Sequence, residues 1–296
     1  MQHTRYIPAL MGASLCVTGC VSSSTTQLIG HYSSAAGNLD STVGKTYTEV
    51  RQIESDNRIA SALNDPDTGY NSFCKEPLKI DSISARTKLA DELLGYSRSL
   101  QLLISDQSEI ELTAQSQVLF ANLSSLNSTL GSLAGKPPLT KSDLALVAAA
   151  VDAIGQAWIR SERLKLLTQI VGQADPLIQQ ATQLYLQDLE NWQDFEMTAL
   201  ENISRNYFKL AQTKTFPDAG TRMTLLQKSD AARNQAESVS SKFQSLREAM
   251  QNCAQAHGAV LASLKSDAEL KNSTGVVSNF EISVQQVEAF YQGAAK

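Results

Sequence analysis

Cys253 and His257 stand four residues apart, a spacing that puts both side chains on one face of a helix and could hold a metal ion. Two ligands fall short of the four that structural zinc takes, and beyond residue 19 the only other histidine is His31. A histidine on an apolar seam reads first as a packed core residue, so no metal site is assigned. A Ser-His-Asp arrangement would need His257 exposed beside a nucleophile, and no GxSxG is present. Asp188 with Glu190, and Asp194 with Glu196, are paired carboxylates, but with Glu201 they read as one solvated acidic face. ExxH pairs, a P-loop and a dinucleotide fingerprint are all absent from the sequence. The expectation is a protein that is not an enzyme, with no catalytic residue and no cofactor.

The other cysteines carry a different chemistry. Arg5 opens the chain, an apolar run follows from Tyr6 to Val17, and Val17-Thr18-Gly19-Cys20 closes it. An aliphatic residue, a small residue, Gly and then Cys resembles the lipobox of bacterial lipoprotein signals. The resemblance covers the first 20 residues and implies cleavage before Cys20 and acylation of that cysteine. It implies a firm anchor, because each buried methylene contributes about 0.8 kcal/mol and several chains add up. Val21 in place of Asp tilts the expectation to the outer membrane, with the body facing the periplasm. An ordinary cleaved secretory signal is the alternative, although Leu15 makes Ser14-Leu15-Cys16 a poor cleavage site. An apolar run of about 12 residues is short of the roughly 20 a spanning helix needs.

Cys16 leaves with the signal and Cys20 takes the lipid, so Cys74 and Cys253 remain. In an oxidising compartment this pair reads as one disulfide; two free buried thiols are the alternative. No CxxC is present.

Removing residues 1–19 from 296 leaves 277, enough to bury a substantial core. The full chain carries −5 and loses Arg5 with the signal, reaching −6. With a pI near 5.3 and no basic cluster, nucleic acid is not an expected partner. Glycine, proline and aromatic residues are few, which favours helices over strands.

Three segments follow: a signal (1–19), a lipidated cysteine with a flexible tether (20–38), and one helical domain (39–296). The tether expectation rests on Ser, Thr and Gly between Val21 and Asn38. A first helix begins at Leu39, capped by Asp40, Ser41 or Thr42, and ends near Asn64-Asp65-Pro66. A second begins at Asp81 or Ser82 and runs unbroken to Gly131–Gly135. Its seam reads Leu89, Leu93, Tyr96, Leu100, Leu103, Gln107, Ile110, Ala114, Gln117, Ala121, then shifts face to Leu119, Leu123, Leu126, Leu130. A third starts at Thr140 or Ser142, and its apolar run Leu144–Val151 should be deeply buried. Gly172 and Asp175-Pro176 should kink or break it, Asp175 serving as the cap of a fresh start. After the turn Phe216–Gly220 comes the cleanest pattern: Ala232, Ala236, Val239, Phe243, Leu246, Met250, Cys253, His257, Val260, Leu264. Ser273-Thr274-Gly275 should break the chain before a last helix. Cys253 near the end of one helix would meet Cys74 before the start of the second if those two helices ran antiparallel.

The expected fold is all-α, an elongated antiparallel bundle with coiled-coil-like packing. The expected function is that of a membrane-anchored periplasmic lipoprotein acting as a protein-binding or envelope-assembly module. Its expected partners are the membrane, through the lipid, and an envelope protein that the sequence does not identify. The polar-interrupted seam at Gln107, Ala114, Gln117 and Ala121 is the expected partner surface. An immunity or inhibitor lipoprotein and an α-helical membrane-active protein are the alternatives.

Overall fold

Apolar side chains recurring every three or four residues wind the chain into helices, and each helix buries the stripe they make. The computed structural model describes residues 23–65, 80–104, 109–156, 160–213 and 218–293. Over these, α1 is Ser23–Asn64, α2 Ile80–Ile104, α3 Glu109–Ala134 and α4 Lys141–Gln156. Then come α5 (Arg160–Thr213), α6 (Ala219–Lys265), a 3₁₀ turn (Asp267–Glu269) and α7 (Leu270–Gly293). No strand occurs among the described residues, and the fold is the all-α bundle that the periodicity predicts. Helix α5 alone has 54 residues, about 81 Å of axial length, which makes the bundle elongated.

Cross-helix contacts fix the directions. Gly30 faces Gln101 and Gly37 faces Leu94, so α2 runs against α1. Asn122 bonds Ser99 and Thr129 bonds Glu92, so α3 runs against α2. Ser204 meets Ser229 while Asp175 meets His257, so α5 and α6 are antiparallel. Tyr47 meets Asp188 and Asn64 meets Asn206, so α5 runs with α1. One hydrophobic core threads all seven helices.

Several expectations need correction. Residues 23–38 are the first half of α1 and not a tether. Leu28, Ile29, Tyr32, Ala35, Ala36 and Leu39 recur at helical spacing and are all buried, and burial of that stripe overrides the low helix propensity of the serines, threonines and glycines around it. Asp40 therefore sits mid-helix rather than at a cap.

The long second helix is two, α2 and α3, packed as a hairpin. Its first half keeps the expected seam: Leu89, Tyr96, Leu100 and Leu103 are buried. In α3 the buried stripe is Leu112, Leu119, Leu123, Leu126 and Leu130, so the shift of face in the sequence marks a new helix against a new neighbour. Gly95 permits the approach, since a Cβ there would lie 2.9 Å from the Asn122 amide group.

Pro176 lies inside α5 without ending it, and Gly172 is likewise within the helix. The missing N–H forfeits one backbone bond. Ile170, Val171, Ala174, Leu177, Ile178 and Ala181 are buried on both sides of it and hold the helix continuous. In α4, among the residues whose burial is described, only Val147, Ala150, Val151 and Ile154 are buried; Leu146 is 49% exposed, because α4 lies on the outside of the bundle. The last break falls at Ser266–Glu269, and Ser273, Thr274 and Gly275 are within α7.

The α6 pattern holds throughout. Asp218 caps the helix, its carboxylate accepting the Thr221 N–H at 2.7 Å, and that bond holds its carboxyl below the usual range. Every position of the expected seam from Ala232 to Leu264 is buried or part-buried.

Candidate functional site: an uncharged outer helix and a buried polar spine

Beyond its first turn, helix α3 is two-faced without being charged. Between Glu111 and Lys136 the sequence holds no Asp, Glu, Lys or Arg. Its inner stripe is pinned by polar groups as well as by leucines. The hydroxyls of Ser125 and Thr129 both donate to one carboxylate oxygen of Glu92 on α2, and Lys88 lies beside the same oxygen. The Asn127 amide bonds both the N–H and the carbonyl of Leu139, fixing the turn into α4. Thr140 and Asp143 then bond each other across the first turn of α4.

The outer face presents Ala114, Gln117, Val118 and Ala121 to solvent. Val118 is 47% exposed. Three of the four residues expected at a partner surface therefore share one exposed face, on a helix held rigidly from behind. Gln107 lies outside the described residues, as do Cys20 and Cys74.

Cys253 is a free cysteine, which corrects the expected Cys74–Cys253 disulfide. The geometry that would have joined them fails. Helix α6 runs against α1, as the Glu49–Lys242 and Tyr32–Cys253 contacts require, and α2 also runs against α1. So α2 and α6 are parallel. Cys253 lies one turn before His257, which meets Tyr96 well inside α2, rather than beside the start of α2. Its thiol is hydrogen-bonded with the Tyr32 hydroxyl, and burial pushes the thiol pKa up.

His257 is fully buried, as a seam position predicts. Nδ1 lies 2.9 Å from Asp175 Oδ1 and Nε2 lies 2.8 Å from the Tyr96 hydroxyl. A carboxylate only accepts, so the ring donates from Nδ1 and Nε2 accepts from Tyr96. Burial raises the Tyr96 pKa and keeps that hydroxyl protonated. The Tyr32 ring packs edge-on against the imidazole. Among the described residues no group of three or more His, Cys, Asp or Glu side chains could hold a metal ion. The arrangement joins α2, α5 and α6 through one satisfied hydrogen-bond chain.

Two more polar layers follow along the bundle. Arg86 on α2 forks onto Asp188 on α5, and the Tyr47 hydroxyl reaches the same carboxylate. Lys242 on α6 pairs with Glu196 on α5 and with Glu49 on α1, where Nζ to Oε2 is 3.0 Å. Sequence reading placed Asp188 and Glu196 on a solvated face, but both are buried. It missed Arg86 and Lys242 as their partners, and Asp175 as the partner of His257. A basic residue falling on a buried stripe, as Lys242 does one position before Phe243, was the signal available.

Fold and site together define an antiparallel α-helical bundle with buried polar layers and an outer helix that carries no charge from Leu112 to Ala134. Compared with protein families, curated proteins and solved structures, the chain matches none. No helix among the described residues is long and apolar enough to cross a membrane.

Proposed function

We propose that this chain is a lipid-anchored protein of the bacterial envelope, held in the outer membrane through Cys20 and facing the periplasm, whose α3–α4 hairpin docks a helix of a protein partner. The observation that carries the reading is the exposed stripe Ala114, Gln117, Val118 and Ala121 on a helix without charge from Leu112 to Ala134. Exposed helix faces ordinarily carry charged residues, and their depletion is what interface cores share. Small side chains let a second helix approach closely. On α4, Leu146 is exposed and no charge occurs from Leu144 to Val151, which extends the same character to the neighbouring helix.

The anchor supports this use. Helix α1 starts at Ser23, three residues after the cysteine of the lipobox, and buries side chains from Thr25 onward. The bundle would therefore stand on the membrane with little slack. Helix α3 runs parallel to α1, and the pairings of Gly37 with Leu94 and of Asn122 with Ser99 put the Ala114–Ala121 stripe level with the first turns of α1, so the face would lie at the membrane-proximal end of the bundle.

The test is photocrosslinking in the envelope from a probe at Gln117 or Val118, beside the same experiment in Ala114→Arg and Ala121→Arg chains. One protein crosslinked in stoichiometric yield, and lost in both arginine variants, is the expected result. A crosslink that survives both substitutions would remove α3 as the docking face. Palmitate labelling lost in Cys20→Ser is the expected signature of the anchor, and labelling that persists would overturn it.

A further inference from the structure

A groove runs between α1 and α2, and its walls are chemically asymmetric. On α1 the residues facing it are small: Ser33, Ser34, Gly37, Ser41 and Gly44 leave a trough of about 640 Å³. The floor is set by Gly37, where a Cβ would stand 3.1 Å from Leu94 Cδ1. Asp40 lines the trough from α1, and Asp91 and Arg98 line it from α2.

Asp40 is the unusual member. Its surface is 8% exposed, and Oδ2 is shielded and has no hydrogen-bond partner. A buried carboxylate without a partner costs free energy that folding alone does not return. Burial pushes its pKa well above the usual range, the neighbouring Asp91 pushes it the same way, and Arg98 partly offsets both. A ligand that brings positive charge and hydrogen-bond donors would satisfy what the protein leaves open. Two carboxylates from facing helices suit an ammonium group, whose three N–H donors can serve both.

The helices run antiparallel, so Asp91 lies level with Asp40, and Arg98 lies seven residues further along α2 towards Ser33 and Ser34. Seven residues of helix span about 10 Å. One end of the trough is therefore anionic and the other cationic. We infer that the α1–α2 groove binds a linear ligand with an ammonium group at one end, held between Asp40 and Asp91, and an anionic group at the other, held by Arg98. Ser33, Ser34 and Ser41 offer hydroxyls to a polar body between them. This site is separate from the α3 face and does not rest on the lipid anchor.

The probe is 6-aminohexanoate, with hexylamine and hexanoate as single-ended controls, titrated calorimetrically into the full chain at low salt. We expect saturable binding of 6-aminohexanoate, weaker binding of hexylamine and none of hexanoate. Asp40→Asn and Asp91→Asn should each weaken 6-aminohexanoate by about tenfold or more. Arg98→Gln should weaken 6-aminohexanoate and leave hexylamine unchanged. Asp40→Asn keeps the side-chain shape, and Asp91 is exposed, so if the first variant fails to fold the second still decides the matter. No saturation by about 10 mM would overturn the proposal. So would affinity unchanged in either carboxamide variant, or Ca²⁺ saturating the site where the amine does not. Equal binding of 6-aminohexanoate and hexylamine would remove Arg98 from the site.

Discussion

Lys242 of α6 and Glu196 of α5 form an ion pair in the centre of the bundle, Lys242 at 5% exposure and Glu196 at 0%. Glu49 adds a second carboxylate to the same ammonium from α1, so three helices meet on one charge. Burial pushes the Glu196 pKa up, and the Lys242 ammonium works against that shift. Such a pair brings little net stability, because desolvation of both ions offsets their attraction. Removing one partner is different. Lys242→Met strands Glu196 in the core and should cost about 3–5 kcal/mol, while the double variant Lys242→Met with Glu196→Leu should recover most of that loss. Urea melts of the four chains of this cycle measure it. Single and double variants that lose the same stability would show that the pair acts through packing instead.

Asp175 links the pH response to the same interior. The His257 N–H that it accepts holds its carboxyl below the usual carboxylate range, against an opposing push from burial. A carboxyl whose pKa is lower folded than unfolded contributes stability that is complete above the unfolded value of about 3.9. That contribution is lost as the pH falls through the folded value. Asp175→Asn should therefore be less stable than the parent by about 1 kcal/mol at neutral pH, and the difference should shrink below about pH 4. Denaturant midpoints measured from pH 7 to pH 2 test this. A gap between the two chains that stays constant over the range would mean that the His257 contact does not hold the Asp175 charge.

The legible parts of this fold are those where burial repeats. Helix α6 was readable from Ala232 to Leu264 because every third or fourth side chain enters one core, and that periodicity is local to the chain. Residues 23–38 were not, since serine, threonine and glycine carry the composition of a linker while Leu28, Ile29 and Tyr32 carry the packing. Pro176 misled for a related reason: its local cost is visible in sequence, and the buried leucine and isoleucine that follow it act only through tertiary contact. The exposed stripe of α3 is half legible. Ala114, Gln117 and Ala121 do share a face, but the spacing alone makes them a continuation of the Leu89–Leu103 seam, whereas they are solvent-facing on another helix. Polar pairs such as His257 with Asp175 join residues 82 positions apart and leave no local signature. Asp40 read as a cap because aspartate favours helix starts, and only the packed first half of α1 makes it a buried mid-helix acid.

The free state of Cys253 is the point at which the sequence expectation and the structure differ most simply. Its thiol lies against Tyr32 and close to Asp40, burial pushes its pKa up, and the Tyr32 hydroxyl offsets only part of the shift. Thiolate is the reactive form, so a raised pKa and burial both suppress alkylation. In the folded chain, labelling of Cys253 by iodoacetamide near pH 8 should be slower than in urea by about two orders of magnitude. In urea without reductant the same residue should label fully, which peptide mass mapping would show. Failure to label in urea until a reductant is added would mean that Cys253 is in a disulfide, and the parallel arrangement of α2 and α6 around it would have to change. Cys253→Ala, which removes the hydrogen bond to Tyr32 but no covalent link, should leave the reductant dependence of the melting temperature unchanged. A disulfide lost on that substitution would instead abolish it.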